Sequence, residues 1–294
     1  MRKVWAVVTF PVRVALWPFV MVGRWAATIF RKIRALLAED SEDVPIGDTF
    51  AKAIGEPSLL LPHITALRQH VFRGVIAVGI TTTIAFIYAE RILDYLAAPV
   101  GGIAALQSVG VTENIGVFMR VSLLTGFAAA LPYLALELLF FVSPGLKATE
   151  RRTGCLAVPF VTLLFAAGVA FAQFVALKPA LTFLTTFIFP TVVRPAEYYP
   201  FVTRLLFWTG IVFEIPIVIY FITALGLVRA DAMLRSSRYV IVGLAVLASV
   251  ITPTTDPVNM LIILIPLIVL YYFGVGLAFI AERRRDTRLA RSAD

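Results

Sequence analysis

Six long stretches of this chain carry almost no charge: residues 71–89, 117–142, 154–177, 201–227, 239–251 and 258–281. Few folds can absorb that pattern. Crossing a hydrocarbon core of about 30 Å takes roughly 20 apolar residues in helical form. Inside lipid the backbone must satisfy its own hydrogen bonds, which leaves helices or closed barrels. The run lengths select helices, so an all-α integral membrane protein with six transmembrane helices is expected. Four of the six runs are comfortably long. The run 239–251, bounded by Arg238 and the Thr252-Pro253 break, crosses only a thinned bilayer unless its helix starts earlier than its charges suggest. Composition agrees, with 60% hydrophobic and 15% charged residues, where a soluble domain carries about a quarter charged.

The bases set the orientation. With the segment before residue 75 inside and the spans alternating, 21 of the 26 Lys and Arg fall on the inner side. The remainder are Arg91, Arg120, Lys178, Arg194 and Arg204, placed outside or near span ends. Lys/Arg enrichment marks the cytoplasmic face, so a multi-pass protein of the inner (plasma) membrane with both termini cytoplasmic is expected. The net charge of +8 then reflects orientation and anionic lipid rather than nucleic acid. Cys155 is the single cysteine, which excludes an internal disulfide. His63 and His70 precede the first charge-free run with no local Cys or carboxylate cluster, so no metal site is expected, and no sequence pattern calls for a cofactor.

Arg2, Arg13, Arg24 and Arg31 fall within roughly 40° of one another on a helical wheel. Lys3, Lys32 and Arg34 lie near that stripe, and Trp5, Phe10, Phe19, Val22 and Trp25 fill much of the rest. Residues 1–38 therefore read as a basic amphipathic helix lying in the headgroup plane against anionic lipids. A seventh span through residues 4–30, with Arg13 and Arg24 snorkelling, is the competing reading, and Pro11 and Pro18 weaken any single continuous helix. The acidic, Pro/Gly-bearing stretch 39–58 reads as a linker, 59–281 as the six-helix domain and 282–294 as a basic tail. On the outer side, 99–116 is glycine-rich, and 190–200 carries Tyr198 and Tyr199, aromatics suited to a membrane interface. No internal repeat is visible.

Few residues in such a chain are free to do chemistry. Ser143-Pro-Gly-Leu-Lys-Ala-Thr-Glu-Arg-Arg152 reads as a polar inner loop with one acid, Glu150, among Lys147, Arg151 and Arg152. It either reads an incoming basic peptide or is a solvated turn. Glu137 lies roughly 10 Å in from the inner end of the second span; it shares a cavity with Glu150 or pairs with Arg68 or another base. Glu214 sits near the middle of the fourth span, where a lipid-facing carboxyl costs at least about 2.5–3.5 kcal/mol. It therefore faces protein or water, either as a functional polar site or as a packing group, with Pro216 freeing a carbonyl one turn earlier. Asp256 lies in an outer Asp-Pro turn of structural type. No nucleophile elbow, phosphate loop, dinucleotide fingerprint or zinc spacing is present, so an enzyme is not expected.

Taken in order, several of these pieces resemble the TatC family, the multi-span receptor subunit of the twin-arginine protein translocase. They are Pro62-His-Ile-Thr-Ala-Leu-Arg68, Ala130-Leu-Pro-Tyr133, Phe141-Val-Ser-Pro-Gly-Leu146 with Pro144 at its turn, and Glu150-Arg-Arg152. The series continues with Phe207-x-x-Gly210-x-x-Phe-Glu-Ile-Pro216, Ile251-Thr-Pro253 with Asp256, Ile265-Pro266 and Leu270-Tyr271. The resemblance implies a glove-shaped six-helix bundle whose cytoplasmic rim binds the signal peptide of a folded twin-arginine precursor. It implies single-span partners of the TatA/TatB type, other TatC copies, and transport driven by the proton-motive force. It maps the recognition acid to Glu150, with Arg68 and Glu137 at the same rim, and the intramembrane glutamate to Glu214. A carboxylate can accept two parallel bonds from a guanidinium, a fork that lysine cannot reproduce.

The chain departs from the family pattern twice. Ala66 stands where His-x-x-Glu-Leu-Arg carries its glutamate, and Tyr272 where Leu-Tyr-Glu carries its acid. Losing one recognition carboxylate costs about 1.5–3 kcal/mol, for which Glu137 is the candidate substitute. Two alternatives stand beside the receptor reading: a paralogue kept for assembly alone, and an unrelated proton-coupled transporter using Glu214 and Glu137.

Overall fold

The computed structural model describes residues 60–110, 112–145, 148–186, 192–252 and 257–293, and these are helical apart from turns and short connections. The expected interfacial helix over 1–38, the linker 39–58 and Asp256 lie outside the described residues. Five stretches are long and apolar enough to span a membrane: Ile64–Ile87, Glu113–Val142, Gly154–Thr185, Pro195–Ala224 and Pro257–Thr287. The sixth, Ser237–Ile251, has 15 residues and so extends about 22 Å, short of a full hydrocarbon core.

In chain order the helices are α1 (Leu60–Ile87), α2 (Ala89–Ala97), α3 (Glu113–Val142), α4 (Ala148–Phe171), α5 (Leu177–Thr186), α6 (Pro195–Val212), α7 (Ile215–Ala224), α8 (Ala230–Arg235), α9 (Ser237–Ile251) and α10 (Pro257–Ala293). α4 and α5 form one span joined by a π turn at Ala172–Ala176, and α6 and α7 form another. The first span starts well before residue 71. Arg68, His70 and Arg73 face a partner or the exterior, so their charge does not stop the helix. Neither does α10 stop at 281; it runs on through the basic tail, where Glu282 accepts bonds from the Ala230 amide (3.1 Å) and Arg229 Nε (3.3 Å). Tyr271 Oη reaches the Met233 carbonyl at 2.7 Å and docks α8 on the same helix.

Close crossings are made with small residues, as expected where lipid offers no hydrophobic drive to association. A side-chain carbon on Gly126 of α3 would stand 2.5 Å from Thr82 Cα on α1. One on Gly168 of α4 would stand 2.9 Å from Gly210 Cα on α6, and one on Gly274 of α10 2.9 Å from Pro216 Cα. Leu177, Val202, Leu205, Ile251, Ile263 and Leu267 are fully buried between the spans. Ile80, Leu123, Leu163, Val246 and Val269 are exposed, on faces suited to a hydrocarbon solvent.

The bundle has two unlike ends. At one, α1 begins, α3 ends and α4 begins, and α7 turns into α8 beside α10; most of the described bases lie there. At the other, α2 and its 3₁₀ turns are pinned to the start of α6. Tyr198 Oη donates to the Leu96 carbonyl (2.6 Å) and Tyr199 Oη to that of Leu93 (3.0 Å). Both rings are buried, so this pair is a core fastener, not the membrane-interface belt expected. Glu113 completes the cap by accepting from the amides of Ala196 (2.8 Å) and Gly110 (3.1 Å).

Candidate functional site

The described parts of the stretch 143–152 are helical rather than loop. Pro144 has no N–H to give the Phe140 carbonyl, so it ends α3. Ser143 Oγ takes over that acceptor at 2.8 Å. A 3₁₀ turn, Ser143–Gly145, follows, and α4 begins at Ala148. Glu150, Arg151 and Arg152 therefore stand in the first turns of a helix, where an acid also complements the helix dipole. Arg151 is not a solvated base. It is 4% exposed, and its Nε donates to the Ser143 carbonyl at 2.9 Å. Sequence reasoning missed this, because Lys147, Arg151 and Arg152 look alike in a polar run. Pro144 itself is exposed.

Just inside that end, Glu137 is 4% exposed and fully engaged. His70 Nδ1 on α1 lies 2.5 Å from Oε2, Tyr133 Oη donates to Oε1, and Arg73 Nη1 stands at 3.9 Å. The edge of Phe141 closes over the imidazole at 6.0 Å between centroids. Tyr133, Glu137 and Phe141 recur every four residues, and His70 and Arg73 are three apart, so each set shares one helix face. The acceptor is a carboxylate, so Nδ1 carries the proton. Glu137 thus holds His70 and Arg73, whereas Arg68, the base named from the sequence, is exposed outside this group. His70 has a carboxylate after all, brought from 67 residues away. The repeat of four on α3 was the available signal; its register against α1 was not.

Glu214 sits where the fourth span breaks. Pro216 cannot donate to the Val212 carbonyl, and α6 gives way to α7 with Glu214 as the flanking residue. Its amide bonds back to Ile211 at 3.0 Å, and its carbonyl accepts from Ile217 and Val218, both at 3.1 Å. The side chain is different. Both carboxyl oxygens are buried and neither has a hydrogen-bond partner among the described residues; the Phe165 backbone on α4 approaches without reaching that geometry. The polar partner expected from the freed carbonyl is not at the carboxyl.

The bundle and its turn match known proteins. The family model for the Sec-independent protein translocase protein (TatC) matches residues 62–266. The chain belongs to the TatC family. It is 30% identical to the Sec-independent protein translocase protein TatC of Carboxydothermus hydrogenoformans over 76% of this chain and 93% of that one. With the TatC of Koribacter versatilis the identity is 31%, over 79% and 90%. With the chloroplastic TATC of Arabidopsis thaliana it is 33%, over 76% and 67%. A crystal structure of the twin arginine translocase receptor TatC superposes with a TM-score of 0.65 at 30% identity, covering 74% of this chain and 99% of that one. The chain is therefore a multi-pass membrane protein of a protein-translocase family, and the unrelated-transporter reading is set aside.

Within the TatC frame, the two departures fall in different surroundings. Ala66 is one helical turn before His70 on α1, beside the Glu137 group. Tyr272 is 43% exposed on α10, while its neighbour Tyr271 is buried.

Proposed function

We propose that this chain is the receptor subunit of a twin-arginine translocase, with the basic end of the bundle, and both termini, in the cytoplasm. That end binds the paired-arginine signal peptide of a folded precursor. Glu150 accepts one guanidinium in a two-bond fork. Arg68, exposed on α1, supplies donors for the peptide backbone. Glu137 lies beneath the rim, with Arg73 at 3.9 Å as the loosest of its partners, the one an incoming guanidinium would displace. The observation that carries this reading is the locked turn. The buried bond from Arg151 to Ser143 ties the first turn of α4, the element that bears Glu150, to the end of α3.

The role is binding and assembly, not catalysis. Single-span subunits of the TatA/TatB type and other copies of this chain are its partners, and the proton-motive force drives transport. With Ala66 in place of a second acid, binding should be weaker by one charge-assisted bond, about 1.5–3 kcal/mol, more than tenfold in affinity.

The test is site-specific photocrosslinking from position 150, in membranes, to a precursor carrying Arg-Arg and to the same precursor carrying Lys-Lys. Crosslinking that requires the arginine pair supports the receptor. Equal crosslinking of the two, or none where an established receptor succeeds, removes it.

A further inference from the structure

Arg120, Lys178 and Arg204 stand within spans, in the half of the bundle capped by α2, and two of the three come together. α3 and α6 both start at that end and run in the same direction. The rings of Phe127 and Phe207 meet between them, 5.4 Å apart at their centroids. Arg120 lies two turns from Phe127 toward the α2 end, and Arg204 about one turn from Phe207 in the same direction. Each base is within about 60° of its phenylalanine around the helix. Arg120 and Arg204 therefore open onto one corner between α3 and α6, offset along it by about 6 Å, no more than the reach of one arginine side chain. Both are exposed.

Like charges brought together at membrane depth repel unless an anion joins them. Neither guanidinium has a hydrogen bond or ion pair among the described residues. Glu113 and Glu197, acids of the same end, both face Arg194, at 3.4 and 3.8 Å. Depth says which anion fits. The 30 residues of α3 measure about 45 Å, the thickness of a bilayer with both headgroup layers. Arg120, about 10 Å in from the start of α3, stands where headgroups meet hydrocarbon. Arg204, about 14 Å in along α6, reaches the same level by its flexible stem. That is the layer of the lipid phosphates. Deeper in, Leu123 on α3 and Trp208 on α6 are exposed, each about one turn past its arginine.

We infer that Arg120 and Arg204 together bind the phosphate of one anionic phospholipid, from the leaflet at the α2 end, whose acyl chains descend past Leu123 and Trp208. A guanidinium presents paired donors to phosphate oxygens, which an ammonium cannot match. Two of them in one corner favour a lipid of net negative charge. A zwitterionic headgroup brings its own cation to the site and gains less.

Trp208 is the reporter. The full chain with Trp5→Phe, Trp17→Phe and Trp25→Phe keeps it as the one tryptophan. This parent protein is placed in phosphatidylcholine vesicles holding a minor fraction of phosphatidylglycerol or phosphatidylcholine brominated at mid-chain, and quenching of Trp208 is titrated. Trp208 lies about 6 Å deeper than Arg204, within reach of those bromines. The expected result is a preference of about fivefold for phosphatidylglycerol. Arg120→Gln or Arg204→Gln should lower it to about twofold, and the two together should bring parity. Arg91→Gln, exposed on α2 at the same end, should leave it unchanged. A preference that survives the double substitution, or one that Arg91→Gln abolishes, would overturn the site in favour of diffuse surface charge. Parity in the parent protein would also overturn it and leave the arginine pair to a carboxylate on a partner helix.

Discussion

Glu137 and Glu214 are both acids inside the same bundle, and their surroundings are opposites. Glu137 meets an imidazole, a phenol and a guanidinium from two helices. Glu214 has two buried oxygens and no hydrogen-bond partner among the described residues. Burial of a charged group is tolerated when hydrogen bonds replace water, so the first acid is part of what holds α1 to α3. The second stands at the proline break between α6 and α7, where its backbone is bonded and its carboxyl is not. One carboxylate builds the frame.

That contrast can be broken by measurement. Glu137→Ala strands two donors, removes the counter-charge of a half-exposed arginine, and should lower stability by about 3 kcal/mol, read as a drop in thermal midpoint in detergent. Gly126→Ala tests whether packing, rather than the acid, sets the α1–α3 register. Thr82 backbone blocks the new carbon, and a loss of about 2 kcal/mol is expected. A loss above that of Glu137→Ala would reverse the ranking. Arg151→Lys keeps the charge but loses the planar Nε donor to Ser143. A loss of about 1 kcal/mol should come with weaker binding of arginine-pair peptide, while a lysine-pair control stays unchanged. Glu214→Gln should leave the midpoint within about 0.5 kcal/mol of the starting protein. A large loss there would mean that Glu214 carries a structural bond after all.

The spans were readable because the limit is one-dimensional: charge-free length against bilayer thickness. Three of the six runs fall wholly within long spans, 71–89 and 201–227 overrun theirs by a few residues at one end, and the short one remains short in the fold. The start of α1 was misjudged because Arg68 and Arg73 look like a boundary, although a helix tolerates bases wherever they face a partner or leave the bilayer. The tie between His70 and Glu137 could not be read at all, since it depends on how two helices are registered. Tyr198 and Tyr199 were assigned to a lipid interface because their chemistry suits one. It equally suits a buried ring whose hydroxyl finds a carbonyl, and no local pattern separates the two. The backbone position of Glu150 was available from its motif; the clamp made by Arg151 was hidden among similar bases.

The 37 residues of α10 measure about 55 Å, and the hydrocarbon they cross is about 30 Å. The excess projects from the basic end as a strut, moored at its base by Glu282 to the α7–α8 turn. A rigidly attached dye at Thr287 would therefore report the tilt of the whole bundle. Its polarised emission would decay at the tumbling rate of the complete particle, where the same dye on a loose tail would depolarise at once.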